Sequence, residues 1–137
     1  MKILDKPSMA YLKFCWKFML FIFAVGIITF FLVYVPPMST LPLNPIGIFA
    51  LAATFLAGWK AAQSRFNIKQ VLMVGIFCFL GMIWFVPFAV MPYLTNLPPE
   101  YFLPNLLITS AIVSVVNLLI YVVSAGLGGW LYSKIRK

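Results

Sequence analysis

The residues able to do chemistry are few and scattered. The chain has 137 residues, with two cysteines, two acidic residues, ten Lys or Arg and no histidine. Without histidine, no relay of the Ser-His-Asp kind can be assembled. Asp5 and Glu100 are the only carboxylates. An acid–base pair must flank one substrate bond, and long apolar runs hold these two apart. Cys15 and Cys78 lack the close spacing of a metal or redox motif. Cys15 stands by the basic start and Cys78 deep in an apolar run, so they are expected at different depths, with no disulfide. No glycine-rich phosphate loop follows a strand. No catalytic set, metal site or cofactor is expected, and the chain is not expected to be an enzyme.

The polar chemistry that remains lies inside apolar runs. Ser110, Ser114, Asn117, Tyr121, Ser124 and Gly128 follow at steps of four, three, four, three and four. Those steps keep all six on one side of a helix. Gly47, Ala50, Thr54, Ala57, Ala61 and Ser64 form a second stripe of the same kind. Slim, faintly polar stripes let membrane helices approach closely, so both are expected to be packing faces. Asn117 is the most polar side chain among them. It either hydrogen-bonds a neighbouring helix or a stripe serine, or it walls a polar pocket with Thr54, Thr109 and Tyr121. Glu100 with Tyr93 and Tyr101 is expected to be a solvated outer loop.

The elements carrying these stripes follow from composition. Hydrophobic residues make up 64% of the chain and charged ones 9%, and the mean hydropathy is +1.07. A soluble domain is nearer half apolar and a quarter charged. A span takes about 20 apolar residues to cross roughly 30 Å of hydrocarbon. Four runs qualify: about 18–35, 45–62, 71–91 and 103–131, the second uncharged as far as Trp59 and the others throughout. The first is longer than the apolar core of a signal peptide and ends in Tyr34-Val35-Pro36-Pro37, so it is read as an uncleaved span. The expected fold is all-α, a four-helix transmembrane bundle of two hairpins in a single domain covering residues 1–137.

Residues 1–17 read as a basic interfacial lead-in, with Asp5 capping a short helix near Pro7. The first span is crowded with Phe18, Phe21, Phe23, Phe30 and Phe31, interrupted only by Gly26 and Thr29. It is expected at the edge of the bundle, with spans two and four central. Asn44 should cap the second span and Pro45 open it. Pro87 should kink the third span or end it early. Pro99-Glu100-Tyr101-Phe102 should form an interfacial turn before the fourth.

All ten cations fall on one side of these spans: Lys2, Lys6, Lys13 and Lys17 before the first, Lys60, Arg65 and Lys69 between the second and third, and Lys134, Arg136 and Lys137 after the fourth. By the positive-inside rule both termini are cytoplasmic. A net charge of +8 suits nucleic acid in a soluble protein. Here the cations sit beside span ends, so anionic lipid headgroups are the expected partners and nucleic acid is not. The hairpins also resemble each other. Val35-Pro36 is echoed by Val86-Pro87, and Ala57-Gly58-Trp59 by Gly128-Gly129-Trp130. An internal parallel repeat is one reading of this likeness; the gathering of Gly, Trp and Pro at span ends is the other.

The layout, with its lysine-rich start, Pro42-Leu43-Asn44-Pro45 opening and Ala-rich second span, resembles small four-span inner-membrane proteins of gamma-proteobacteria, Acinetobacter-type ones especially. That resemblance implies a bacterial inner-membrane protein and carries no activity. A fainter likeness, to the small four-span accessory protein of bacterial ATP synthase operons, covers Phe102 to Thr109 and stops at the second span. The expected function is non-enzymatic contact with another membrane protein or with a second copy, as accessory subunit, assembly factor or immunity-type protein. The alternative is a small channel or carrier for an uncharged or lipid-like solute.

Overall fold

The computed structural model describes residues 2–3, 6–33 and 47–136. It is all-helical apart from a short antiparallel pairing of Lys2–Ile3 with Lys6–Pro7. Helix α1 runs Ser8–Val33, α2 Gly47–Gln63, α3 Ile68–Leu80, α4 Val86–Val90 and α5 Pro99–Ile135. The anticipated caps Asp5 and Asn44, with Pro45, lie outside the described residues.

From Ser8 onward the lead-in is part of α1 itself. Between Ser8 and Val33 there is no proline to break the helix, so interfacial and apolar residues share one rod. At 1.5 Å per residue its 26 residues reach about 39 Å.

The turn between α2 and α3 is tightly built. The Phe66 amide donates to Ala61 and the Arg65 amide to Ala62, the paired bonds of a Schellman ending. Arg65 takes the left-handed position at φ 61°. Asn67 then caps α3: its side chain accepts from the Gln70 amide at 2.9 Å, while the Gln70 side chain accepts from the Asn67 amide at 3.1 Å. This reciprocal box satisfies two donors at once.

The third apolar run breaks before Pro87. α3 stops at Leu80, a 3-10 turn spans Ile83–Phe85, and Pro87 takes the second position of α4. Proline lacks an amide hydrogen and its ring collides with the carbonyl four residues back, here Ile83. The chain therefore changes its bonding upstream, and the two halves meet at 41°. A second 3-10 turn, Met91–Leu94, leads toward α5. That helix takes in Pro99–Phe102 and runs on through Pro104 to Ile135. Asn105 donates its side-chain amide to the Tyr101 carbonyl at 2.8 Å, which supplies an extra bond beside the proline.

Ring contacts fix the directions. Tyr11 stacks on Phe77 at 5.6 Å, Phe23 meets Phe85 at 5.2 Å and Phe30 meets Phe88 at 5.3 Å. Thus α1 and the bent α3–α4 segment run parallel over most of the length of α1. Trp59 against Tyr132 and Ser124 against Leu51 set α2 parallel to α5. The order is up, down, up, down. All described cationic side chains lie at one end, and Glu100 at the other.

Helices α2 and α3 touch each other and both of their flanking partners, while α1 and α5 scarcely meet among the described residues. The central pair is therefore α2 and α3, not the second and fourth spans. α1 contributes Tyr11, Cys15, Ile22 and Val25 to the core, whereas α5 has no buried residue before Tyr121. Two helices, α1 and α5, are long and apolar enough to cross a membrane, and the bent α3–α4 segment makes a third when taken as one span. α2, at 17 residues, is shorter than these.

Candidate functional site

Both stripes turn inward. On α2, Ala50, Thr54, Ala57 and Ala61 are buried and Gly47 is half-buried, while Ser64 is exposed past the helix end. On α5, Tyr121 and Gly128 are buried and Ser110, Ser114, Asn117 and Ser124 half-buried. Gly128 faces the Phe55 carbonyl so closely that an added Cβ would collide with it and lie 3.1 Å from the Trp59 amide nitrogen. Gly58 meets Ala125 in the same way, and an added Cβ on Gly75 would lie 2.7 Å from the Val122 Cα. The Ser124 hydroxyl donates to the Leu51 carbonyl at 3.0 Å. From Tyr121 to Gly128 the α5 stripe is therefore engaged within the chain, in a furrow between α2 and α3. Gly58 and Gly75 were not in either stripe. Gly58 follows Ala57 of the α2 stripe by one residue and Gly75 lies on α3, and both meet the backbone of α5.

Only part of the expected polar pocket assembles. Asn117 and Tyr121 share a cavity of about 360 Å³. Thr54 does not line it: it is fully buried, and its hydroxyl donates to the Ala50 carbonyl at 2.9 Å in the same helix. Thr109 lies two turns, about 12 Å, up α5 from Asn117 and also misses it. Their place is taken by Thr29 of α1. The signal for Thr29 was present in the sequence: Gly26 and Thr29 are the two interruptions of an aromatic span, and both line the cavity. An added Cβ on Gly26 would sit 2.5 Å from the Phe85 ring, so the glycine makes room for that wall.

The cavity reaches from mid-helix on α5 toward the ends of α1 and α4 that face away from the cations. Phe30, Phe85 and Phe88 form much of its apolar wall. Tyr121 is 4% exposed, and its ring packs edge-on to Phe79 at 5.8 Å. Among the described residues neither its hydroxyl nor the Asn117 amide finds a hydrogen-bond partner. The Thr29 hydroxyl is buried and likewise unpartnered. Buried polar groups are ordinarily paired, and an unpaired one costs about 1–3 kcal/mol. Three neutral hydrogen-bonding groups around one apolar space suit an uncharged molecule with a polar head and a hydrocarbon body.

Comparison with protein-family models, curated proteins and solved structures returned no match.

The structure also corrects the placing of the cysteines. Cys15 of α1 and Cys78 of α3 are fully buried in one cluster. Because α1 already begins at Ser8, Cys15 is two turns inside the bundle, level with Cys78 on the parallel α3. Both thiols are free. No group of three or more His, Cys, Asp or Glu side chains occurs among the described residues.

Lys13, Lys17, Lys60, Arg65, Lys69, Lys134 and Arg136 are exposed, and Lys137 lies outside the described residues. Lys134 sits over the Trp130 ring at 5.8 Å, and Arg136 donates to the Tyr132 hydroxyl at 2.7 Å. Such ring–cation pairs suit a headgroup layer, where an apolar body and a charged tip are both accommodated.

Proposed function

We propose that this chain is a non-enzymatic integral membrane protein of a bacterial inner membrane that holds an uncharged, lipid-like solute between its helices. In this reading it crosses the bilayer four times, with both termini cytoplasmic. The observation that carries the solute reading is the cavity in which Thr29, Asn117 and Tyr121 are left without partners. The bent α3–α4 segment counts as one crossing because it accompanies α1 from Tyr11 to Phe30, about 28 Å of helix. The short α2 is the return stroke.

The test is to purify the chain in mild detergent, extract it and identify bound molecules by mass spectrometry. A stoichiometric uncharged amphiphile is expected, lost in Asn117→Leu and reduced in Tyr121→Phe. A wild-type protein that carries none and moves none across liposomes overturns the reading.

A second reading, contact with another membrane protein or with a second copy, is favoured by the outer half of α5. Leu107, Ile112 and Leu119 are each at least 60% exposed, a broad face that either lipid or protein can cover. An assembly in native membrane that is broken by added bulk on this face, for example by Ile112→Trp, would favour this reading over the first.

A further inference from the structure

A groove runs between α1 and α2 at the cationic end, separate from the cavity described above. Its volume is about 690 Å³. Lys13 and Lys17 of α1 and Lys60 of α2 all border it. Lys13 and Lys17 are four residues apart and so share one helix face, and Lys60 lies in the last turn of α2. Away from the lysines the groove is lined by side chains such as Phe21, Phe49 and Leu56 and by the small Ala52. The three ammonium groups have no acidic partner among the described residues. Asp5 lies outside those residues, and Glu100 is at the opposite end of the bundle.

We propose that this groove is a specific site for one anionic diacyl phospholipid. Its phosphate would sit among Lys13, Lys17 and Lys60, with an acyl chain lying along Ala52 toward Phe49. The argument is one of complementarity along a single axis. A free anion would satisfy the lysines and leave the apolar trough unused. A neutral lipid would fill the trough and leave three cations without a counter-charge. Only a molecule with a negative head and a hydrocarbon tail matches both ends. The order also agrees with the placing of this end against the cytoplasmic leaflet, where basic pockets between helices take anionic headgroups. Lys17 lies 5.7 Å from the Trp16 ring centroid, so its charge is held near the groove mouth.

The test uses the full chain, delipidated in neutral detergent. Binding is read as the rise in melting temperature on adding dioleoyl phosphatidylglycerol, dioleoyl phosphatidylcholine or inorganic phosphate. Phosphatidylglycerol should stabilise, saturating near one per chain, and the other two should not. Lys13→Gln, Lys17→Gln and Lys60→Gln should each weaken the response, roughly five-fold per lysine removed. Ala52→Leu, at an exposed position in the trough, should weaken it with every charge kept. The control Lys134→Gln, at the same end but off the groove, should leave it unchanged. An equal response to phosphatidylcholine, an equal response to inorganic phosphate, or equal losses in Lys134→Gln and Lys60→Gln would each overturn the proposal. So would an Ala52→Leu protein that binds as the parent does.

Discussion

Glycine is the residue on which the helix approach depends, and two glycines of one helix provide a controlled comparison. Gly58 of α2 lies against the backbone of α5. A Cβ added there would overlap the Ala125 carbonyl oxygen and lie 2.7 Å from its carbon and 2.8 Å from its Cα. Non-bonded carbons rest at about 3.5–4.0 Å, so Gly58→Ala must part the helices by about 1 Å at this crossing. Overpacking of this kind costs typically 1–3 kcal/mol. The parting also strains the Ser124–Leu51 bond nearby, and interhelical bonds of this type are worth about 0.6 kcal/mol on average in a bilayer. Alanine returns up to about 1 kcal/mol through its better helix propensity. The net loss should be about 1–3 kcal/mol. Gly47→Ala adds the same methyl where nothing lies within 4 Å, and it should be neutral or slightly stabilising. Unfolding in mixed micelles of rising dodecyl sulfate content, followed by tryptophan fluorescence, measures both. Ala125→Gly should not rescue Gly58→Ala, since the collision is with backbone. Equal stability of the two single variants would refute the close approach.

Three further outcomes follow from the described contacts. Oxidative cross-linking of the unaltered chain should join Cys15 to Cys78 within one molecule, read as the loss of both alkylatable thiols after denaturation; two thiols that remain fully alkylatable would contradict the parallel register of α1 and α3. Arg65→Gly should stabilise the α2–α3 turn by about 1 kcal/mol, because glycine takes a left-handed φ without steric cost, whereas Asn67→Ala should destabilise it by about 1 kcal/mol through loss of the cap. Both can be read in the same mixed-micelle titration.

Much about this protein is local and was already legible in residue order. The apolar runs predict helices because backbone groups removed from water must pair within their own segment, and helices occupy them. The grouping of every cation at alternate run ends predicts one basic face, and the described cations share it. The stripe from Ser110 to Gly128 predicts which side of α5 meets protein, and that side does so at Tyr121, Ser124 and Gly128. Pro87 predicts a broken third run, although the break falls upstream, at the carbonyl the ring would strike.

What the chain order left open depends on which helix stands beside which. Cys15 and Cys78 are sixty-three positions apart, and only the parallel packing of α1 on α3 makes them neighbours. Thr54 satisfies the periodicity of a pocket residue, yet its hydroxyl bonds its own helix and leaves the pocket. Thr29 enters from a helix whose aromatic crowding pointed to the rim. Helical period fixes the face a residue occupies. The partner of that face is chosen by how closely backbones can approach, and here Gly58, Gly75 and Gly128 make that choice.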